Sequence, residues 1–177
     1  PGEDLPQQRS EDPQAHGFVF QNYNLFLNKK ALEIITEGLI VGRGIKKELA
    51  QAKAHELLAR FSLTHRENAY PCELSGGQQQ RVAIARALAG DPDIIYFDEP
   101  TSALDPELTR DVLSILKELA QQGLTMVVVT HELTFAKNVA NKVVFMEAGH
   151  VVEAGDAQTI FGNPKELRTK EFLETLA

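Results

Sequence analysis

The 177-residue sequence contains a single cysteine, no long hydrophobic run and no excess of positive charge. Because Cys72 stands alone, the sequence excludes a disulfide within the chain and a multi-cysteine metal site. The longest apolar stretches, such as MVVV at 126–129, are far too short to cross a bilayer. The formal net charge of −7 argues against a nucleic-acid partner, because DNA or RNA would repel the chain.

The composition that is present is typical of a soluble globular protein. Hydrophobic residues make up 43% of the sequence and charged residues 24%. A chain of this length buries roughly 70% of the surface that it exposes when unfolded, which is enough for a hydrophobic core. We therefore expect one domain, or one compact core with a smaller subdomain.

The order of the predicted elements favours an α/β fold with a mostly parallel sheet. After Asp91, short apolar runs alternate with amphipathic segments, as they do when right-handed crossovers join parallel strands. The continuous run 94–97 predicts a strand that is buried on both faces. The segment between Gln21 and Ser75 is mainly helical by pattern, and we interpret it as a helical subdomain inserted into the core. The predicted strands are 18–20, 94–97, 125–129, 143–146 and one that starts at Val151; the predicted helices are 30–41, 46–63, 76–89, one that runs from Pro106 to a C′ residue at Gly123, 132–140, 156–162 and 164–176.

Polar side chains follow three of the predicted strands at the points where the strands end. Gln21 follows the first strand, Asp98 and Glu99 follow the second, and His131 follows the third. Ligands of open parallel sheets bind beyond the carboxyl ends of the strands. We therefore expect these four side chains to lie on one edge of the sheet.

The two carboxylates have a chemical interpretation and a simpler one, and His131 has a simple one. An aspartate at the end of an apolar strand can deliver an oxygen ligand to Mg²⁺, and the next glutamate can polarise an attacking water. The simpler interpretation of Asp98 and Glu99 is a solvated strand end, and that of His131 is a hydrogen-bonded turn. No other histidine pairs with His131 at metal-ligand spacing, so we exclude a zinc site.

The segment LSGGQQQR at 74–81 predicts a helix N-terminus that can bind phosphate. Ser75 is a strong N-cap residue, and Gly76 and Gly77 allow backbone N–H groups to approach a ligand closely. A helix N-terminus carries about half a positive charge, which favours an anion. The simpler interpretation is a capped helix with a flexible entry.

Five segments taken together are far more specific than any one of them. They are VFQ at 19–21, LSGGQQQR at 74–81, IIYFDEP at 94–100, SALD at 102–105 and TH at 130–131. The chain resembles the ATP-binding subunit of ATP-binding-cassette (ABC) transporters. The spacers FVFQNYNLF and LTMVVVTHEL are similar to those of the polar amino-acid importers of bacteria, and ITEGLIVGR is similar to cystine-type systems.

The resemblance implies roles for the site residues within these segments, with ATP and Mg²⁺ as cofactors. Gln21 corresponds to the Q-loop glutamine, Asp98 to the Walker B aspartate, Glu99 to the catalytic base and His131 to the switch histidine. The signature loop contacts the γ-phosphate that is bound on the opposite subunit. The implied catalytic residues are Glu99 and His131, the implied nucleotide contacts are Gln21, Ser75, Gly76, Gly77, Gln78 and, in the D-loop, Asp105, and the implied metal ligands are Asp98 and Gln21.

The resemblance also implies an assembly and a location. Two ATPase subunits form a homodimer that sandwiches two ATP molecules at the cytoplasmic face of the cell membrane, as peripheral subunits. They act on transmembrane permease subunits, which the helical insertion touches, and indirectly on a substrate-binding protein. No nucleic acid takes part. The implied domain is a partial ABC ATPase over 1–177, with a helical subdomain at 22–90, the C-terminal part of the α/β core at 91–160 and a C-terminal helix at 161–177.

One departure from the family is serious. The Walker A loop GxxxxGK[ST] occurs nowhere, and the dipeptide Gly-Lys is absent altogether. This loop supplies the backbone cradle and the lysine for the phosphates. Because GEDL at 2–5 resembles the hairpin that follows Walker A, we expect a P-loop NTPase core that is truncated at its N-terminus. Such a core would be inactive by itself and would carry an open apolar sheet face.

Two alternatives stay open on the sequence alone. One is a soluble ABC ATPase of translation or DNA repair, for which we would expect a second cassette or long coiled coils. The other is a non-catalytic interaction module, because the loop that binds the phosphates is absent. Nucleotide affinity distinguishes the second alternative from an ATPase.

Overall fold

The computed structural model describes residues 16–174. The GEDL segment and the end of the last predicted helix lie outside this range. Contacts divide the chain into two compact units, and the division falls after Val129. The sequence-based boundaries at residues 90 and 160 stay predictions. Within residues 16–174, no helix is long and apolar enough to span a membrane.

The first unit combines a parallel sheet with a group of helices. Its strands have the order β1-β2-β3, and both neighbouring pairs are parallel. This topology confirms the predicted α/β fold. The elements are β1 (His16–Val19), α1 (Ala31–Glu37), a π-helical turn (Gly38–Gly42), α2 (Lys47–Arg60), 3₁₀ turns at Thr64–Arg66 and Pro71–Glu73, α3 (Gly76–Ala89), β2 (Ile94–Asp98), α4 (Pro106–Gln121) and β3 (Thr125–Val129).

Helix α3 is the central packing element of the first unit. The consecutive residues Val82, Ala83, Ile84 and Ala85 are all fully buried. A helix that is buried all round needs neighbours on several sides. It contacts α1 and α2 as well as α4 and β1. Helix α3 therefore joins the helical segment to the sheet.

One face of the sheet is tightly packed. Val19, Ile95 and Phe97 are at most 1% exposed. Gly17 lies on the same face, where an added Cβ would come within 3.2 Å of the carbonyl oxygen of Ala87 in α3. The close approach of α3 to β1 therefore depends on the absence of a side chain at this position.

The other face of the sheet is open among the described residues. Phe18, Tyr96 and Val127 lie side by side in register, and Phe18 and Val127 are 49% and 48% exposed. The rings of Phe18 and Tyr96 stack with their centroids 4.9 Å apart. The prediction that strand 94–97 is buried on both faces is therefore wrong, since Tyr96 on this face is only half-buried and its neighbours Phe18 and Val127 are exposed. The predicted open apolar face is confirmed.

Two helix ends differ in how well the sequence predicted them. The predicted helix 30–41 is α-helical only to Glu37 and continues as the π-helical turn, because Gly38 and Gly42 weaken the regular helix there. By contrast, α4 ends as expected. Gly123 adopts a φ of 83°, and the amide of the next residue donates to the carbonyl of Leu119, as in a left-handed C-terminal cap.

The second unit is an antiparallel hairpin with three short helices. Its hairpin turn at Ala148 and Gly149 has both residues at positive φ, as in a favoured two-residue hairpin turn. The last predicted helix begins at Leu167 rather than 164. The backbone amides of the two residues before it donate to the carboxylate of Glu153 instead. The elements are α5 (Leu133–Val139), β4 (Lys142–Glu147), β5 (His150–Asp156), α6 (Ala157–Gly162) and α7 (Leu167–Glu174).

Buried Glu153 of β5 holds the N-terminus of α7. Its carboxylate accepts the backbone N–H of Lys165 at 2.8 Å and that of Glu166 at 3.2 Å. A negative charge at a helix N-terminus satisfies free amides and interacts favourably with the helix dipole. These hydrogen bonds, led by that from Lys165, hold the pKa of Glu153 below its ordinary value. Further along α7, Arg168 forms a bidentate ion pair with Glu147 at 2.6–2.9 Å.

We expect Glu153→Gln to weaken the docking of α7 in a pH-dependent way. Because the pKa of Glu153 is lower in the folded state than in the unfolded chain, its contribution is present above the unfolded value of about 4.3 and is lost as the pH falls through the folded value. Urea unfolding from pH 7 to pH 3 should show the largest difference from wild type at neutral pH. The matched control is Glu166→Gln, whose side chain is exposed. A difference that does not change with pH would contradict this pH dependence.

Candidate functional site

The structure places three of the four predicted edge residues at the carboxyl edge of one sheet. Strands β1 and β2 pair in parallel, so Gln21 and Glu99 each lie two residues beyond the last pair of that ladder. Gln21 and Asp98 are exposed, and Glu99 is half-buried. His131 belongs to the second unit, so its place beside the other three stays a prediction.

Glu99 adopts an unusual backbone conformation at this edge. Its φ is 45°, in the left-handed region that a non-glycine residue rarely occupies. Its amide donates to the carbonyl of Val129 at 3.0 Å, and its carbonyl accepts the amide of Ser102 at 3.3 Å and the hydroxyl of Ser102 at 3.0 Å. Such conformations cost roughly 1–3 kcal/mol and persist where neighbouring bonds fix them, often at functional sites. This strain favours the chemical interpretation of Glu99 over a solvated strand end.

The donor set at the edge fits a magnesium ion that is shared with a phosphate ligand. Asp98 offers an exposed carboxylate, and Gln21 offers an exposed amide oxygen at the same edge. Among residues 16–174, no three His, Cys, Asp or Glu side chains form a metal-binding group. Mg²⁺ at nucleotide sites takes one or two carboxylates and completes its shell with phosphate oxygens and waters. One carboxylate and one amide suit that mode.

The N-terminus of α3 is capped by side chains of its own first turn. The Ser75 hydroxyl accepts the amide of Gln78 at 3.3 Å, and the Gln78 side chain accepts the amide of Ser75 at 3.1 Å. This reciprocal pair is a capping box, and it confirms Ser75 as the N-cap. Ser75 remains exposed at the end of a 14-residue helix, which suits an anionic ligand. Contact of Ser75 and Gln78 with a nucleotide stays a prediction.

Gly76 and Gly77 have a packing role that the sequence did not reveal. A Cβ on Gly76 would lie 2.9 Å from the hydroxyl oxygen of Tyr23, and one on Gly77 would lie 2.9 Å from Cδ2 of Leu108. Such distances are shorter than carbon side chains tolerate. The two glycines therefore let the end of α3 pack against the Gln21 segment and against α4, in addition to any room that they leave for a ligand.

Arg86 fixes the Gln21 segment to α3. Its guanidinium donates to the carbonyl of Asn24 at 2.5 Å and to that of Tyr23 at 3.2 Å. Both acceptor residues have positive φ, 46° and 60°. Burial lowers the pKa of Arg86 and raises that of Tyr23. The sequence signal for this contact is a charged residue that follows the apolar run 82–85 of α3, and it does not indicate the Gln21 segment as the partner.

Two other predicted site residues take part in local structure. Asp105 caps α4, because its Oδ1 accepts the amides of Glu107 and Leu108 at 3.0 Å each. Exposed His131 lies 3.8 Å from a carboxylate oxygen of Glu132. In the same turn, the hydroxyl of Thr130 accepts the amide of Glu132 at 3.0 Å. Nucleotide contacts from Asp105 and His131 stay predictions.

Residues 2–102 match the family of ABC transporters. The chain belongs to the ABC transporter family. It is 56% identical over 158 residues to the L-cystine transport system ATP-binding protein TcyN of Escherichia coli, a match that covers 89% of this chain and 63% of that protein. It is 53% identical over 173 residues to the arginine transport ATP-binding protein ArgV of Corynebacterium glutamicum, which covers 98% of this chain and 66% of that protein. The chain thus spans less than two thirds of the length of either relative.

A solved structure of an ABC protein supports the same fold. It is the dimeric post-hydrolysis state of the ATP-binding cassette MJ0796 bound to ADP and Pi. The TM-score is 0.71 at 38% sequence identity, and the match covers 87% of this chain and 68% of that one. This match confirms the predicted fold, an α/β core of the ABC ATPase type.

Proposed function

We propose that this ABC protein is the ATP-hydrolysing part of an importer for polar amino acids. The observation that carries the proposal is the strained Glu99, which follows Asp98 at the carboxyl edge that Gln21 shares. The relatives are ATP-binding proteins of cystine and arginine transport, which supports amino-acid import as the process. Because two such similar relatives are named for different amino acids, the proposal extends to the class of polar amino acids and to no single one.

Each proposed site residue of this chain has a separate role in ATP hydrolysis. Asp98 and Gln21 hold Mg²⁺ through a carboxylate and an amide oxygen. Bound Mg²⁺ offsets negative charge on the phosphates. Glu99 orients the attacking water and accepts its proton. By its resemblance to the switch histidine, His131 is the proposed contact for the γ-phosphate, and Asp105 belongs to the segment that resembles the D-loop.

A second copy of the chain completes the site. The exposed N-terminus of α3, with Ser75, Gly76, Gly77 and Gln78, binds the nucleotide held by the other copy. The dimeric MJ0796 structure supports this homodimer. The helix-end charge attracts the terminal phosphate without any side-chain cation.

The permease partner binds the helical segment next to Gln21. Phe26 is 48% exposed and Leu27 is 78% exposed, shortly after the residue that lies at the nucleotide edge. Exposed apolar side chains of this size favour a protein contact. The proposed assembly lies at the cytoplasmic face of the membrane, where a substrate-binding protein acts on this chain only through the permease.

The test of this proposal is a titration with Mg²⁺ and a fluorescent ATP analogue. The loop-completed protein is defined as these 177 residues preceded by a segment of an ABC transporter ATP-binding protein that carries GxxxxGK[ST]. We expect the loop-completed protein to bind the analogue and the 177-residue chain to show no tight binding, because it has no such loop. Tight binding by the chain itself would contradict the need for the loop. Absence of binding by the loop-completed protein would contradict the proposed function.

A further inference from the structure

Gln80 is a buried polar residue near the N-terminal end of α3. Its side chain is fully buried, and its Nε2 donates to the carbonyl oxygen of Pro100 at 2.8 Å. Among the described residues, its Oε1 has no hydrogen-bond partner. A buried amide that is only half satisfied destabilises a core, whereas an apolar side chain of the same size would pack there without that penalty. The amide of Gln80 is therefore poorly explained by stability alone.

The acceptor of this hydrogen bond lies beside the candidate base. Pro100 follows Glu99, whose own amide and carbonyl are bound to Val129 and Ser102. Those two contacts come from the neighbouring strand and from the same turn. Gln80 adds a third contact, which comes from a helix. A strained conformation persists only where the surroundings determine it, and these three contacts supply that constraint.

Helix α3 also carries the N-terminus that is proposed to bind the nucleotide held by the other copy of the chain. Gln80 lies one helical turn after Gly76, the first residue of α3. The buried hydrogen bond from Gln80 to Pro100 therefore joins the N-terminal part of α3 directly to the turn that holds Glu99.

We propose that Gln80 is a positioning residue that fixes the backbone turn of Glu99 and so aims its carboxylate at the attacking water. The inference rests on the proposed function for its catalytic part. Its structural part, the constraint on residues 99–102, can be measured without ATP hydrolysis.

The test compares Gln80→Met with Gln51→Met. Methionine keeps the length and helix preference of glutamine but removes the amide donor. Gln51 is a half-buried glutamine of α2 whose side chain forms no hydrogen bond among the described residues, so the same substitution there controls for composition. In the loop-completed protein, we expect Gln80→Met to lower kcat roughly 10-fold to 100-fold, the scale of a misplaced catalytic group. The Kd for ATP should change less than about twofold, because no proposed phosphate contact is altered.

Amide hydrogen exchange on the 177-residue chain provides the second measurement. We expect faster exchange at the amides of Glu99 and Ser102 in Gln80→Met, with protection of the buried α3 amides at 82–85 unchanged. An unchanged kcat in an active loop-completed protein would overturn the proposal, as would unchanged exchange at Glu99 and Ser102. If the wild-type loop-completed protein hydrolyses no ATP, the proposed function fails, and the exchange result alone decides whether Gln80 constrains the turn.

Discussion

Glu99→Gln in the loop-completed protein should lower ATP turnover by about 10²–10⁴-fold while ATP binding persists. The substitution keeps the size and the hydrogen-bonding shape of the side chain but removes a group that can accept a proton. The backbone bonds to Val129 and Ser102 use no side-chain atom of Glu99, so the strained turn should survive. Steady-state phosphate release and equilibrium ATP binding measure the two effects separately.

The matched control is Glu56→Gln, which makes the same chemical change at an exposed site on α2. It should leave turnover within about twofold of wild type, since exposed substitutions away from a site have small effects. Wild-type turnover in Glu99→Gln would remove Glu99 as the base. An equal loss in both variants would show that the assay responds to charge rather than to the site.

Phe97→Ala should lower the free energy of unfolding by roughly 3–5 kcal/mol, as expected for deletion of a buried aromatic ring. Phe97 is 1% exposed, and it lies on the packed face of the sheet directly before Asp98. Loss of this ring leaves a cavity beneath the strand end that carries both candidate carboxylates. Urea unfolding with a check that the m-value is unchanged provides the measurement.

Phe18→Ala is the control for the open face of the same sheet. Phe18 is 49% exposed and stacks on Tyr96, so its removal should cost about half as much as that of Phe97 or less, because much less surface is buried there. A loss at Phe18 as large as that at Phe97 would show that the second face is also packed. That result would restore the prediction that strand 94–97 is buried on both faces.

The sequence predicts best those features that depend on neighbours in the chain. The cap at Ser75 and the left-handed residue at Gly123 each follow from a local rule, and the structure confirms both. The strand at 94–97 is predictable because a short apolar run between a Pro-Asp pair and two acidic residues is too short for a helix. The break of the first helix at Gly38 is not predictable in the same way, because a glycine weakens a helix without determining what replaces it.

Contacts between distant segments could not be read from the sequence. The hydrogen bond from Gln80 joins residues that are 20 positions apart, and the bonds from Arg86 span more than 60 positions. A polar residue on a buried helix face signals such a contact but does not name its partner. The glycines at 76 and 77 illustrate the same limit, since the side chains that fill their space come from Tyr23 and Leu108.

The carboxyl edge of the sheet, with Asp98 and Glu99, is proposed to be the site of ATP hydrolysis. The most direct test is the rate of phosphate release by the wild-type loop-completed protein, with and without Mg²⁺, compared with the 177-residue chain. We expect turnover that requires Mg²⁺, that is lost in Glu99→Gln and that is absent from the chain without the loop. No turnover by the loop-completed protein, or turnover that persists without Glu99, would contradict the claim.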